Sequence, residues 1–338
     1  MNPPHPQTWL KTLPDGLYCE PGGFYIDPLR PVPRAVISHA HADHARPGHG
    51  QVLATKGTLA VMRTRMGAER IGTQQELAYG ERLTINGVTL SLHPAGHVLG
   101  SAQIALEYQG AKAVISGDYK RQLDPTCAPF EPQSCDVFIT EATFGLPIFQ
   151  HPAIGDEIAK LLASVALFPQ RTHVVGCYAF GKCQRVIAEL RQAGYTAPIY
   201  LHGALLPVCE AYRQMGVELG ELRPATVAEK TALRGSIVLA PPSAIADRWS
   251  RRLEDPVVCM ASGWMRIRQR AKAGGIELPL IISDHADWND LLETIREVGA
   301  PEVWVTHGSE EALLHALSHM QIRARALRLI GYGDEGDT

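Results

Sequence analysis

Along this chain the hydrophobic residues gather into short runs, and several of these runs end on polar, ligand-type side chains. Ala35-Val36-Ile37 runs into Ser38-His39, Ala113-Val114-Ile115 into Ser116-Gly117-Asp118, and Val303-Trp304-Val305 into Thr306-His307. Runs of this length, bounded by small or polar residues, predict β-strands. Helices are expected over Lys56–Met66, Ile154–Leu167, Trp288–Val298 and Ser309–His319. Up to about residue 147, strand segments and turns alternate around the first of these helices. Asp136-Val137-Phe138-Ile139-Thr140-Glu141 reads as a strand ending in an acid. Val174-Val175-Gly176, followed by Gly181-Lys182, reads as strand, glycine turn, helix. From about residue 279 the chain is expected to return to its first domain with a strand, and a last strand follows the final helix. No internal repeat or low-complexity tract interrupts this order, and Asp334-Glu335-Gly336-Asp337-Thr338 reads as a frayed acidic tail.

The segment Ser38-His39-Ala40-His41-Ala42-Asp43-His44 packs three histidines and an aspartate into six consecutive positions. In an extended turn, alternate side chains share one side, so His39 and His41 can grip one ion while Asp43 and His44 project toward a second. Neutral imidazole and carboxylate are ligands for zinc-class ions. His97, Asp118 and His307 add ligand-type side chains in a similar setting. Ligands at the ends of several strands converge on one edge of a sheet sandwich, where a rigid scaffold holds them. Any one of these histidines alone would more often be a packed or surface residue. The set together points to a metal centre.

His39-x-His41-x-Asp43-His44, then His97, then Asp118, resembles the metallo-β-lactamase superfamily. The resemblance implies an α/β fold, an αββα sandwich with a two-metal site, and it gives Asp27, in Phe24-Tyr25-Ile26-Asp27, the role of an aspartate behind the ligands. Glu141 in Thr140-Glu141-Ala142-Thr143, His285 in Ser283-Asp284-His285-Ala286-Asp287, and His307 in Val305-Thr306-His307-Gly308 resemble the three motifs of the β-CASP nucleases. About 140 residues separate Glu141 from His285, too many for a loop in a compact domain. They imply an inserted domain. The expected organisation is a metallo-β-lactamase domain over 1–147, an inserted β-CASP domain over 148–278, and the rest of the first domain over 279–338. Tyr178-x-x-Gly181-Lys182 and Gly263-Trp264 resemble the DNA cross-link-repair branch of that group, and the stretch Ala326–Gly333 resembles the bacterial ligase-associated DNA exonucleases, to which the chain is most similar. That likeness suggests a DNA ligase or helicase as a partner. His307 points the other way, toward RNA-processing members.

Composition narrows the class. Hydrophobic residues make up 45% of 338 residues, which excludes general disorder and allows two domains with cores of their own. No apolar run reaches the ~18 residues of a membrane span. Met1-Asn2-Pro3-Pro4-His5 lacks the basic segment and apolar stretch of a secretory signal, which argues against an exported lactam hydrolase. The seven cysteines, odd in number and without a Cys-x-x-Cys pair, are expected to be reduced thiols in a cytoplasmic protein, with Cys177 and Cys183 as small core residues. The net charge of −3 does not exclude a polyanion, which needs only a local basic groove. If the Met265–Lys272 segment is extended, Arg266, Arg268, Arg270 and Lys272 fall on one face and could follow phosphates. Arg248, Arg251 and Arg252 lie just before. Lys182 opens a helix after Gly181, where free N–H groups favour an anion. Arg323, Arg325 and Arg328 are expected to decorate a terminal strand.

The resemblance implies a division of labour. His39, His41 and His97 would hold one divalent ion, Asp43, His44 and His307 the other, with Asp118 bridging them. Zinc suits these ligands and manganese is an alternative. Such a pair of ions lowers the pKa of water and neutralises phosphate charge. With Asp43 and Asp118 at the ions, His285 is the candidate proton donor to the leaving oxygen, oriented by Glu141. Three readings follow in order: a DNA nuclease acting on single-stranded ends, leaving a 5′-phosphate and a 3′-hydroxyl; an RNA-processing nuclease; and a small-molecule thioester or lactam hydrolase.

Overall fold

The computed structural model describes residues 3–247, 249, 250 and 253–327. By internal contacts the chain forms two units, one from residues up to Gln150 together with those from His285 onward, the other His151–Asp284. No helix among the described residues is long and apolar enough to cross a membrane.

The first unit holds two sheets. One is formed by β1 (Leu10–Leu13), β2 (Gly16–Cys19), β3 (Phe24–Ile26), β4 (Arg34–Val36), β5 (Gln51–Ala54) and β6 (Thr73–Glu76), in that order. The other contains β7 (Arg82–Ile85), β8 (Val88–Pro94), β9 (Ala102–Tyr108), β10 (Ala111–Ile115), β11 (Val137–Ala142), β18 (Glu302–Gly308) and β19 (Arg323–Ala326), ordered β19-β18-β11-β10-β9-β8-β7. Period-2 alternation decides which residue faces which layer. Ala113, Ile115, Val137, Ile139 and Trp304 point to the core between the sheets, where Leu17, Phe24, Ile26, Val36 and Leu53 of the first sheet meet them. Val114, Phe138, Val303 and Val305 point the other way, onto Leu291, Ile295 and Val298 of α7 (Trp288–Val298) and Leu313 and Leu317 of α8 (Glu310–His319). Helix α1 (Lys56–Met66) packs beside β6 of the first sheet. The result is a mixed α/β sandwich.

Strand direction places the loops. β10, β11, β18 and β19 run parallel, and β8 reaches β10 through the antiparallel β9, so β8 points the same way. The C-terminal ends of β8, β10, β11 and β18 therefore lie at one edge of the sheet. The loops or last residues at these ends carry His97, Asp118, Glu141 and His307.

The second unit has a parallel sheet of β12 (His173–Gly176), β13 (Ile199–Leu201), β14 (Leu222–Pro224), β15 (Ile237–Ala240), β16 (Val257–Ala261) and β17 (Leu278–Leu280), ordered β14-β13-β15-β12-β16-β17. Its helices are α2 (Ile154–Leu167), α3 (Lys182–Gln192), α4 (Leu206–Gln214), α5 (Pro242–Ala246) and α6 (Arg268–Ala273). Two sequence expectations change here. The strand expected from about residue 279 to return the chain to its first domain is Leu278–Leu280, and it belongs to this sheet, because it pairs in parallel with Cys259–Ala261. The Met265–Lys272 segment is not extended: a short 3-10 turn at Gly263–Arg266 is followed by α6. Residues two apart on a helix are about 200° apart, so Arg270 is turned away from the face that Arg268 and Lys272, four apart, share.

All seven cysteines are free thiols, and Cys177 and Cys183 are buried.

Candidate metal centre

The turn after β4 brings its side chains inward in an order that the local hydrogen bonds enforce. Asp27, buried after β3 and held at φ +43°, is the hub. Its Oδ1 accepts from the Ser38 N–H at 2.7 Å, and its Oδ2 accepts from Ser38 Oγ at 2.5 Å and from His44 Nδ1 at 2.8 Å. The Ser38 hydroxyl hydrogen is thus committed to Asp27. Its oxygen lies 3.0 Å from His39 Nδ1 and can only accept from it. That fixes the His39 tautomer and leaves a lone pair on Nε2, which is buried and makes no hydrogen bond. Asp27 thereby orients two histidines, one directly and one through Ser38. The part played by Ser38 was not anticipated from sequence, although a hydroxyl residue between strand and histidine was visible in the motif.

Asp118 is the point on which the ligand-type side chains converge. Its Oδ2 lies 3.3 Å from His39 Nε2, 3.3 Å from His44 Nε2 and 3.8 Å from His97 Nε2. His97 Nε2 also lies 3.0 Å from His41 Nδ1. Two ligand sets result, each drawn within 4.8 Å: His39, His41, His97 and Asp118 in one, Asp43, His44 and Asp118 in the other. His307, at φ +54°, stacks its ring on His44 with centroids 5.1 Å apart, beside these two sets. A third set within the same distance joins Asp118 to Glu141 and His285.

Electrostatics follow from burial and neighbours. Burial, then the His44 charge, holds His39 well below the ordinary imidazole value. For His44, burial alone would lower the value, but the charges of Asp118 and Asp43 and the hydrogen bonds that Asp118 and Asp27 accept from it hold it well above. For Asp118, burial would raise the carboxyl, but His44 and His39 hold it well below its usual range. Burial, reinforced by His44, pushes His307 down to about 4. The donor set fits divalent ions. Buried imidazoles and carboxylates converge, and His39, with its Nδ1 occupied, presents an unprotonated nitrogen to the centre.

Glu141, on β11, is fully enclosed. Its Oε1 accepts from the Tyr119 N–H at 2.7 Å and its Oε2 pairs with His285 Nδ1 at 2.9 Å. Burial pushes the Glu141 carboxyl up, opposed by His285. The Tyr119 carbonyl accepts from the Ala286 N–H at 2.6 Å, so the segment after Asp118 braces both sides of this pair. The His285 ring lies 4.7 Å from that of His97.

The remaining candidates are more dispersed. Lys182 is buried at the start of α3, and its Nζ pairs with Asp284 at 2.9 Å, instead of facing solvent. Arg185, one turn on, donates to the Ser283 carbonyl at 2.7 Å. Arg266, Arg268, Arg270 and Lys272 are exposed, with Arg270 over the Trp264 ring at 4.3 Å. Arg323 is exposed on β19, and Arg325 lies over the Trp304 ring. Arg248, Arg251, Arg252, Arg328, most of the Ala326–Gly333 stretch and the acidic tail fall outside the described residues.

No family model matches the chain. It is 30% identical over 327 residues to a protein of Opitutus terrae named a probable DNA ligase, covering 94% of this chain and 31% of that protein. It is 25% identical over 387 residues to a ribonuclease of Thermus thermophilus, covering 92% and 89% of the two. With an endoribonuclease of Saccharomyces cerevisiae it shares 24% identity over 369 residues, covering 81% and 47%. The chain thus spans about a third of the first relative and about half of the yeast one. A solved structure of a protein of unknown function from Enterococcus faecalis shares the fold, with a TM-score of 0.59 at 10% identity over 87% of this chain and 79% of that one.

Proposed function

The chain belongs to the β-CASP nuclease group of the metallo-β-lactamase superfamily, and from that premise we propose that it is a two-metal phosphodiesterase that degrades DNA from single-stranded ends. The observation that carries the reading is the junction at Asp118, where two metal-type ligand sets meet the Glu141–His285 pair. His39, His41 and His97 would hold one ion and Asp43 and His44 the other, with Asp118 common to both and His307 closing the second set. Zinc is the favoured ion for this donor set and manganese the alternative. When bound, the ions supply Lewis acidity and a nucleophile at neutral pH.

The chain's own residues supply the rest. Asp27 and Ser38 keep the ligand histidines in their metal-binding tautomers. His285, its Nδ1 engaged by Glu141, would hand a proton from its other nitrogen to the departing 3′-oxygen. The expected products are a 5′-phosphate and a 3′-hydroxyl. Arg266, Arg268 and Arg270, exposed in the second unit, remain candidates for phosphate contact, though not as one strip. Lys182 is assigned to its ion pair with Asp284, which braces the chain just before His285.

DNA is favoured over RNA because the match to the protein named a probable DNA ligase runs over 94% of this chain at 30% identity. The ribonuclease names of other relatives, and His307, favour RNA as the second reading. Cleavage of matched end-labelled DNA and RNA strands, with added zinc or manganese, decides between them. Metal-dependent cutting with faster loss of DNA is the expected result. Faster loss of RNA reverses the substrate, and hydrolysis of thioesters or lactams without cleavage of either strand overturns the reading. A DNA ligase or helicase as partner, and a cytoplasmic location, belong to the same proposal.

A further inference from the structure

The basic run around Arg268 is helical, so the strip of phosphate contacts expected there is not formed. The metal-bearing unit has cationic groups of its own beside the ligand turn. Arg46 stands two residues after His44 and is half-buried. Its Nε is enclosed and makes no hydrogen bond, and among the described residues the side chain has no carboxylate or carbonyl partner. Arg65, near the end of α1, reaches back to the same turn and donates to the carbonyl of Ala40, between His39 and His41. Arg65 also lies within Coulombic range of both Arg46 and Asp43.

A guanidinium keeps its charge at any pH relevant here, and two that reach the same turn repel unless an anion compensates them. Asp43 is an acid whose charge acts on Arg65, but its carboxylate approaches His44 Nε2 at 3.5 Å and belongs to the second ligand set. With its charge committed to a bound ion, Asp43 would leave the two arginines beside the ligand turn uncompensated. Planar guanidinium donors match the oxygens of a phosphodiester.

We propose that Arg46 and Arg65 form a phosphate site on the metal-bearing unit, which holds a backbone phosphate of the nucleic-acid strand next to the one being cut. The site rests on the nuclease reading and adds the group that sets the strand's register on the ions. Arg63, also on α1 but hydrogen-bonded to Gln74 Oε1 at 2.6 Å and, among the described residues, with no hydrogen bond to the ligand turn, provides the control.

The test is steady-state cleavage of a single-stranded oligonucleotide by the full chain across a salt series, with metal content measured for each variant. Arg46→Gln and Arg65→Gln should each raise KM roughly tenfold, the weight of one charge-assisted contact, with kcat within about twofold of wild type. Each should also flatten the slope of log KM against log salt by about 0.7, one phosphate's share on a single strand. Arg63→Gln should alter neither. If Arg65→Gln loses metal through its contact with Ala40, the Arg46→Gln result alone decides. Unchanged KM and slope in Arg46→Gln overturn the site, as does an Arg63→Gln effect equal to the others, which would mean diffuse attraction to the helix. A wild-type protein that cuts neither DNA nor RNA sinks the nuclease reading itself, whereas normal cutting by the arginine variants sinks only the phosphate site.

Discussion

His44 has an aspartate at each ring nitrogen, Asp27 at 2.8 Å from Nδ1 and Asp118 at 3.3 Å from Nε2. Without a metal it is held protonated well above its ordinary value, while His39 is held neutral. A metal must therefore displace a proton from His44 and none from His39. Titrating zinc or manganese into chelator-stripped protein should release about one proton near neutral pH. The sign sets the pH dependence. Below the raised His44 value, affinity falls as pH falls; above it, this dependence vanishes. Calorimetry in buffers of different ionisation enthalpy reads the proton count, and a count of zero would remove His44 from the ligand set. At the second site, His285→Ala should keep the metals and lose about 10²–10⁴ in turnover on DNA, the weight of a general acid. A nitrophenyl phosphodiester, whose leaving group needs no proton, should lose far less. Equal losses on both substrates, or loss of metal, would assign His285 to another role. At this scale much of the site was legible, because His39, His41, Asp43 and His44 advertise a ligand turn by spacing alone. Ser38 was not, since a hydroxyl acquires its role only from the direction in which Asp27 accepts its hydrogen.

At the scale of elements, the strands that carry the site begin as apolar runs, as β11 does at Val137–Ile139 before it reaches Thr140 and Glu141, so short hydrophobic runs identified them. Helices with clear apolar spacing, such as α2 and α7, lie where the pattern puts them. The segment at Arg268–Ala273 misled because alternation of charge carries no burial signal. Only Ala271 is buried there, and so short a helix has no hydrophobic face to reveal it. The join between α1 and the His97 loop makes a stability prediction. The Gly100 carbonyl accepts from Thr55 Oγ1 at 2.6 Å and from Thr58 Oγ1 at 2.9 Å, while Thr55 Oγ1 also caps the Thr58 N–H at 3.1 Å. At φ +82°, a Cβ on Gly100 would sit 2.2 Å from the Thr58 nitrogen. Gly100→Ala should destabilise the protein by roughly 2 kcal/mol or more, since strain and backbone clash add. Thr55→Ala, which removes the cap without the clash, should cost about 1 kcal/mol. Urea unfolding compares them, and a Gly100→Ala midpoint no lower than that of Thr55→Ala would show that the loop yields freely.

For the whole molecule, the division of the chain matters more than its size. All the ligand-type side chains around Asp118 come from the unit made of residues up to Gln150 and from His285 onward. The length between Glu141 and His285 made an inserted body legible, but the chain's exit from it was not. β17 at Leu278–Leu280 has no alternation to mark which sheet it joins, and only its pairing with β16 does so. A ligand that binds one folded unit and not its unfolded form stabilises that unit by mass action, about 2.7 kcal/mol at a hundredfold excess over Kd. Zinc or manganese should therefore raise the unfolding temperature of the first unit, and a chelator should lower it. The second unit has its own core around Val174, Tyr200, Val238 and Ala240, and should respond little by comparison. Calorimetry of the full chain with and without metal, with proteolysis to identify which segment opens first, tests this. Cuts in chelator should appear first within residues 3–150 or 285–327, and metal should suppress them. If metal instead protects only His151–Asp284, the ion is held elsewhere and the Asp118 junction is not its site.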